Sequence, residues 1–200
     1  ESQGETIKQK IGFVNYSISE QGEFLVNGVS VKLKGINRHD THPENGWCMT
    51  KDELKKDLLL MKKLNINTVR TSHYPPSPEF LELCDELGFY VMLETDLEIH
   101  GFTSRVHASG YDCLDDNQEW IGNQDIWLNS YIDRIERAYN RDKNHPSIFS
   151  WSTGNESGFS KNNAKMNDFL RKTDSKRLIH CEDASRTSDE KPEFYYVTDI

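Results

Sequence analysis

The chain has 200 residues and a formal net charge of −9 without a basic cluster, which argues against nucleic acid or an anionic membrane as a partner. A hydrophobic fraction of 35% and a mean hydropathy of −0.77 suit a polar globular domain with a sizeable core. No apolar stretch approaches the roughly 20 residues that cross a bilayer. The start, ESQGETIKQK, lacks the apolar core of a signal peptide, so a cytoplasmic location is expected. Cys48, Cys84, Cys113 and Cys181 are widely spaced with no CxxC pair, and read as free thiols.

The opening ETIKQKIGF reads as the last strand of a preceding domain, with a boundary after residue 12. FLVNGVSVKL (24–33) is two alternating runs joined by Asn27-Gly28, a strong two-residue hairpin signal. GINRHDTHPENGWCM reads as a polar and aromatic loop. A helix is expected from Thr50, which has capping-box spacing to Glu53, with Leu54, Leu58, Met61 and Leu64 in helical period. NTVRTS (67–72) reads as a strand, and Ser77-Pro78 opens a helix that Gly88 closes. FYVMLE (89–94) is a continuous apolar strand. A long loop, a helix at about 125–141, the strand SIFSW, a helix near 160–172 and the strand RLIHCE (177–182) follow.

Strand–helix alternation with apolar strands predicts a parallel sheet covered by helices. An open doubly wound sheet and a (β/α)8 TIM barrel compete. The first strand is not followed by a glycine-rich phosphate loop, which weakens the dinucleotide-binding open sheet. His39, Arg70, His73, Glu98, His100, Asn155 and Glu156 all lie at or just beyond the C-terminal ends of predicted strands, where barrel enzymes build their sites. The barrel is favoured. About five strands are expected against the eight of a complete barrel, so the chain reads as the N-terminal part of one. An open part-barrel exposes strand edges, so association or aggregation is expected, and a homo-oligomer is the expected assembly.

Glu156 follows an apolar strand between Gly154 and Gly158. Partly desolvated beside Trp151, it could hold a proton as a general acid, with Asn155 bonding a substrate hydroxyl. The competing reading is a turn that caps the following helix, and spacing alone leaves the two level. Glu98 and His100 in LETDLEIHGF could meet one ion, although an isolated ExH is more often a solvated loop. A buried cluster of Glu94, Asp96 and Glu98 would need neutralising, which a cation could do. His39 and His73 could bond sugar hydroxyls or merely orient loops. Zinc on His39, Asp40 and His42 ranks low. Among the tryptophans, Trp47, Trp120 and Trp151 could stack on sugar faces, while Trp127 reads as core.

NTVRTSHYP (67–75) and DKNHPSIFSWSTGNE (142–156), with GINRH (35–39), resemble the signature segments of family-2 glycoside hydrolases. The resemblance runs from about residue 11 to residue 200. It implies a TIM barrel over 13–200, preceded by an immunoglobulin-like domain that would end within residues 1–12. It also implies a retaining hydrolase acting on β-galactosides, in which Glu156 is the acid/base, Asn155 contacts the sugar 2-hydroxyl, and His39 and His73 line the galactose site. LEIHG (97–101) resembles the β-galactosidase branch, implying Mg2+ held by Glu98, His100 and Glu156. Asp40, Thr41 and Thr153 depart from that branch's usual residues. Retention needs a second carboxyl about 5–5.5 Å away. The resemblance places it on a later strand, beyond Ile200, because neither Glu182 nor Glu193 has the nucleophile's context. The remaining barrel and flanking domains of a parent chain are therefore expected partners. The alternatives are a relative acting on another β-glycoside, such as a glucuronide, and a non-catalytic carbohydrate-binding barrel.

Overall fold

In a computed structural model, residues 4, 6, 10–106, 117–187 and 198–200 are described. The expected end of a preceding domain, Cys113 and Glu193 fall wholly or largely outside them. The hairpin forms as expected: β2 (Phe24–Val26) pairs antiparallel with β3 (Val29–Ser30), and β1 (Tyr16–Ile18) adds to β2. Asn27 and Gly28 take φ of 50° and 81°, the doubly positive turn that matches strand twist.

The second sheet is parallel, in the order β4 (Gly35–Arg38), β5 (Thr68–Thr71), β6 (Tyr90–Glu94), β7 (Ile148–Ser152) and β8 (Leu178–His180). GINR, expected within a loop, is the first of these strands. It is short, poor in strand formers and largely exposed, so its pairing with β5 rather than its composition defines it.

Helices α1 (Lys51–Lys63), α2 (Pro78–Leu87), α3 (Leu128–Asp142) and α4 (Lys161–Thr173) connect the parallel strands. Thr50 and Glu53 form the reciprocal capping box at α1. Ser77 caps α2 with Pro78 in the first turn, and Gly88 closes it at φ 67°. Two short 3-10 turns precede α3, which begins three residues later than expected. A further helix, α5 (Glu182–Thr187), has no counterpart in the sequence reading.

Alternation along the strands sorts the two faces of the sheet. Val69, Val91, Leu93, Trp151 and Ile179 pack in one cluster with Leu54 and Leu58 of α1, Phe80 and Cys84 of α2, Ile135 of α3, and Met166 of α4. Arg70, Met92, Glu94, Ser150, Ser152 and His180 alternate with those residues and take the opposite face. All four connecting helices thus bury against a single side. A doubly wound sheet would carry helices on both.

The antiparallel sheet packs under the N-terminal end of the parallel one. Tyr16 stacks on Phe24 at 5.7 Å, and Phe24 meets Tyr90 and Phe149 edge-on at 6.1 and 5.2 Å. The Tyr16 hydroxyl donates to the Pro146 carbonyl at 2.6 Å. The β6–β7 register slips between Val91 and Met92, so that Phe149 is the extra residue of the bulge.

Candidate active site

The polar residues singled out in the sequence gather at the C-terminal edge of the parallel sheet. Their assembly follows from backbone pairing. Beyond β7 the Asn155 N–H donates to the Leu97 carbonyl at 2.9 Å, and the Ile99 N–H donates to the Glu156 carbonyl at 3.4 Å. These two bonds lay residues 154–156 alongside 97–99 and so set Glu98 beside Glu156. The His100 Nδ1 lies 3.0 Å from Glu156 Oε2 and 3.3 Å from Glu98 Oε1.

Ligand atoms of Glu98, His100 and Glu156 all fall within 4.8 Å of one another, the one such group of three among the described residues. Two carboxylates brought this close repel, and a divalent cation between them would offset that. The imidazole makes the set mixed, and mixed N/O sets suit several divalent metals. The donors present therefore fit a cation. The segment is not extended as expected, since a 3-10 turn starts at His100, but the side chains still converge.

The Glu156 side chain is 28% exposed. It sits at φ 43°, between Gly154 at 141° and Gly158 at 66°. Holding a non-glycine residue there costs about 1–3 kcal/mol, a strain typical of functional loops. The Glu156 N–H donates to Glu182 Oε2 at 3.3 Å, while the N–H of Ser157 donates to Asp183 at 3.1 Å. The turn does not cap the next helix, whose N-cap is Ser160. Trp151 is not the neighbour expected for Glu156: it is fully buried on the helical side, where its Nε1 donates to Asp174. Alternation along β7 turns adjacent residues to opposite faces.

Asn155 is buried, and its Oδ1 accepts from an Arg70 terminal nitrogen at 2.9 Å. Arginine only donates, so this contact fixes the amide with Nδ2 as the remaining donor. Arg70 also donates through Nε to Glu94 Oε2 at 2.7 Å. Glu94 is wholly buried and takes two further bonds, from Ser152 Oγ to Oε2 at 2.6 Å and from His73 Nδ1 to Oε1 at 2.5 Å. His39 meets His73 edge-on at 5.2 Å and Tyr74 at 5.9 Å. The predicted residues thus form two groups, His39 with His73 and Asn155 with Glu156, Glu98 and His100. Glu94 and Arg70 join them.

The sequence reading assigned no role to Glu94 beyond an acidic cluster needing a cation. Arg70 meets that need instead, with His73 bonded to the other carboxylate oxygen, while Asp96 and Glu98 are exposed. A usable signal was present: an arginine in one strand and a glutamate ending the next, on the same face. His180 was missed too. Burial first, then the nearby Arg70 charge, push its pKa down to about 4. Ser152 gives its hydroxyl proton to Glu94, so His180 Nδ1, 3.0 Å from Ser152 Oγ, carries the hydrogen and donates.

Other expectations resolve simply. Asp40 takes Arg38 and His42 meets Glu53 at 3.2 Å, so zinc on His39, Asp40 and His42 gains no support. Trp127, expected in the core, is 42% exposed in a turn ahead of α3. Trp120 is fully buried and donates to the Ser157 carbonyl, so that of the three tryptophans considered for stacking only Trp47, 79% exposed beside Tyr74, is open to solvent. Cys48, Cys84 and Cys181 are free thiols. Burial raises Cys84 and carries Cys181 up to about 12, which removes both as nucleophiles. No helix among the described residues is long and apolar enough to cross a membrane.

Residues 17–199 match the family described as "Glycosyl hydrolases family 2, TIM barrel domain". Similar proteins include the β-galactosidases of Arthrobacter sp. (strain B7), 44% identical over 184 residues and 90% of this chain, and of Kluyveromyces lactis, 37% identical over 205 residues and 97% of this chain. The chain spans 17% and 20% of the length of those two relatives. Among solved structures, a β-glucuronidase from Ruminococcus gnavus in complex with D-glucuronic acid aligns with a TM-score of 0.71 and 26% identity, over 96% of this chain and 30% of its own. A family-2 β-galacturonidase from Eisenbergiella tayi bound to galacturonate aligns with a TM-score of 0.66 and 27% identity, over 86% of this chain and 28% of its own. With that match across nearly all of its length, and helices on one side of a five-stranded parallel sheet, the chain belongs to glycosyl hydrolase family 2 and to that family's TIM barrel domain.

Proposed function

We propose that the full-length protein carrying this chain is a retaining β-galactosidase whose acid/base is Glu156. The observation that supports this best is the convergence of Glu98, His100 and Glu156 within 4.8 Å on the C-terminal edge of the sheet, with Asn155 adjacent. Glu156 is partly exposed, so its carboxyl can reach a glycosidic oxygen. It first donates its proton to the leaving oxygen, then removes one from the water that releases the sugar. Asn155 offers Nδ2 as donor or neighbour to the sugar 2-hydroxyl, and His39 and His73 bond other hydroxyls. Glu98, His100 and Glu156 would hold Mg2+, which supplies positive charge beside the acid/base. The attacking carboxylate comes from a later strand of the full-length protein, so this chain by itself is inactive.

Galactose is favoured over a uronic acid because relatives called β-galactosidase share 36–44% of residues, whereas the uronidase structures share 20–27%. Assays of the full-length protein on nitrophenyl β-galactoside and β-glucuronide test this. Turnover of the nitrophenyl galactoside is expected, together with hydrolysis of a β-galactosyl disaccharide that is lost in Glu156→Gln. Preference for the glucuronide would move the substrate to that branch, and binding of galactosides without turnover would replace catalysis by carbohydrate binding.

A further inference from the structure

Glu94 touches neither Glu156 nor the cluster proposed to hold a cation, yet it is the most completely enclosed carboxylate at this edge. It has no exposure, and it faces three donors: Arg70 on β5, His73 in the turn beyond it, and Ser152 on β7. Glu94, Ser152 and His180 stand in register across β6, β7 and β8. Even the Glu94 backbone is tied in, its N–H meeting the Thr71 hydroxyl at 3.0 Å. A carboxylate so placed is costly unless each oxygen is satisfied, and here each is. Its partners, in turn, are held in one geometry.

We propose that Glu94 is the positioning residue of the sugar site, acting on two substrate contacts through two hydrogen bonds. On one side it clamps Arg70, whose terminal nitrogen then fixes Asn155 with Oδ1 turned to the guanidinium and Nδ2 left to meet the substrate. On the other side it accepts from His73 Nδ1, which holds that ring in one orientation and leaves Nε2 as its remaining nitrogen for a sugar hydroxyl. Arg70 also lies 3.5 Å from Glu182 Oε2. Once Glu94 loses its charge, the guanidinium is drawn towards Glu182 and away from Asn155. The amide of a glutamine at 94 would moreover donate to His73 and reverse its tautomer.

This inference rests on the proposed assignment of Asn155 to the sugar 2-hydroxyl, and that supplies its test. In the full-length protein, Glu94→Gln is assayed on an aryl β-galactoside and on its 2-deoxy analogue. The expected result is a loss of about 10–100-fold in kcat/KM on the galactoside, the scale of a misplaced binding group. On the 2-deoxy substrate the loss should be several-fold smaller, because the contact that Glu94 positions is absent there. Equal losses on both substrates would mean a merely structural role and overturn the inference, as would no loss at all. Should Glu94→Gln fail to fold, Ser152→Ala keeps the charge and removes one bond, and a smaller loss with the same dependence on the 2-hydroxyl is expected. Equal or absent losses there would again overturn the inference. A wild-type protein that hydrolyses neither substrate would instead overturn the proposed function on which it rests.

Discussion

The Leu97 carbonyl oxygen lies 2.7 Å from where a Cβ on Gly154 would stand, and the same oxygen accepts the Asn155 N–H at 2.9 Å. Only a residue without a side chain lets the two segments approach this closely, and Gly154 also holds φ at 141°. Gly154→Ala is expected to push residues 154–156 off the 97–99 segment. Activity of the full-length protein should fall about 100-fold, the cost of misplacing reacting groups by an ångström or so. Melting temperature and kcat/KM measured together check this, with the second changing more.

Glu156→Gln should lower kcat by about 10²–10⁴ on substrates whose leaving group needs a proton. Nitrophenolate leaves without one, so the loss in the step that breaks the glycosidic bond should be far smaller on a nitrophenyl galactoside than on a disaccharide. Parallel single-turnover rates on the two substrates measure that contrast.

Glu98 is exposed at the edge and contributes a carboxylate to the proposed cation site. Glu98→Gln should weaken Mg2+ binding at least tenfold and raise the Mg2+ concentration needed for half-maximal activity. Calorimetric titration of the chelator-stripped protein gives the first quantity and an activity titration the second. His100→Ala should act in the same direction.

His180 makes stability depend on acid. Its folded pKa of about 4 lies below the ordinary 6.5, so between those values the unfolded chain takes up a proton that the folded protein does not. Its neutral form is fully compatible with folding above pH 6.5, and stability declines as pH falls towards 4, by an amount on the order of 3 kcal/mol. Melting temperatures from pH 7 to 4 should fall more steeply in wild type than in His180→Gln.

Much of the fold was legible because local chemistry and tertiary structure agree. Thr50 with Glu53, Ser77 with Pro78, and Asn27 with Gly28 each specify a terminus or a turn within four residues, and each forms. GINR was not legible, since its strand exists only through pairing with β5. Trp127 was misread for a related reason: helical spacing was extended through residues that wind as separate 3-10 turns. Within the site, residues on the loops beyond the strands, such as Glu156, Asn155 and His100, announced themselves by type and position. Glu94 and His180 did not, because their interest lies in what they touch, and a single sequence does not record which strands lie side by side.

The aromatic quartet of Tyr16, Phe24, Tyr90 and Phe149 closes the sheet at the end opposite the carboxylates. Changes there should bear on how much heat the protein withstands, whereas changes around His39, His73 and Trp47 should bear on the proposed sugar site. Natural variation at the two poles can therefore proceed separately. On the proposed function, sugar preference could change at the upper rim over the same keystone of rings beneath.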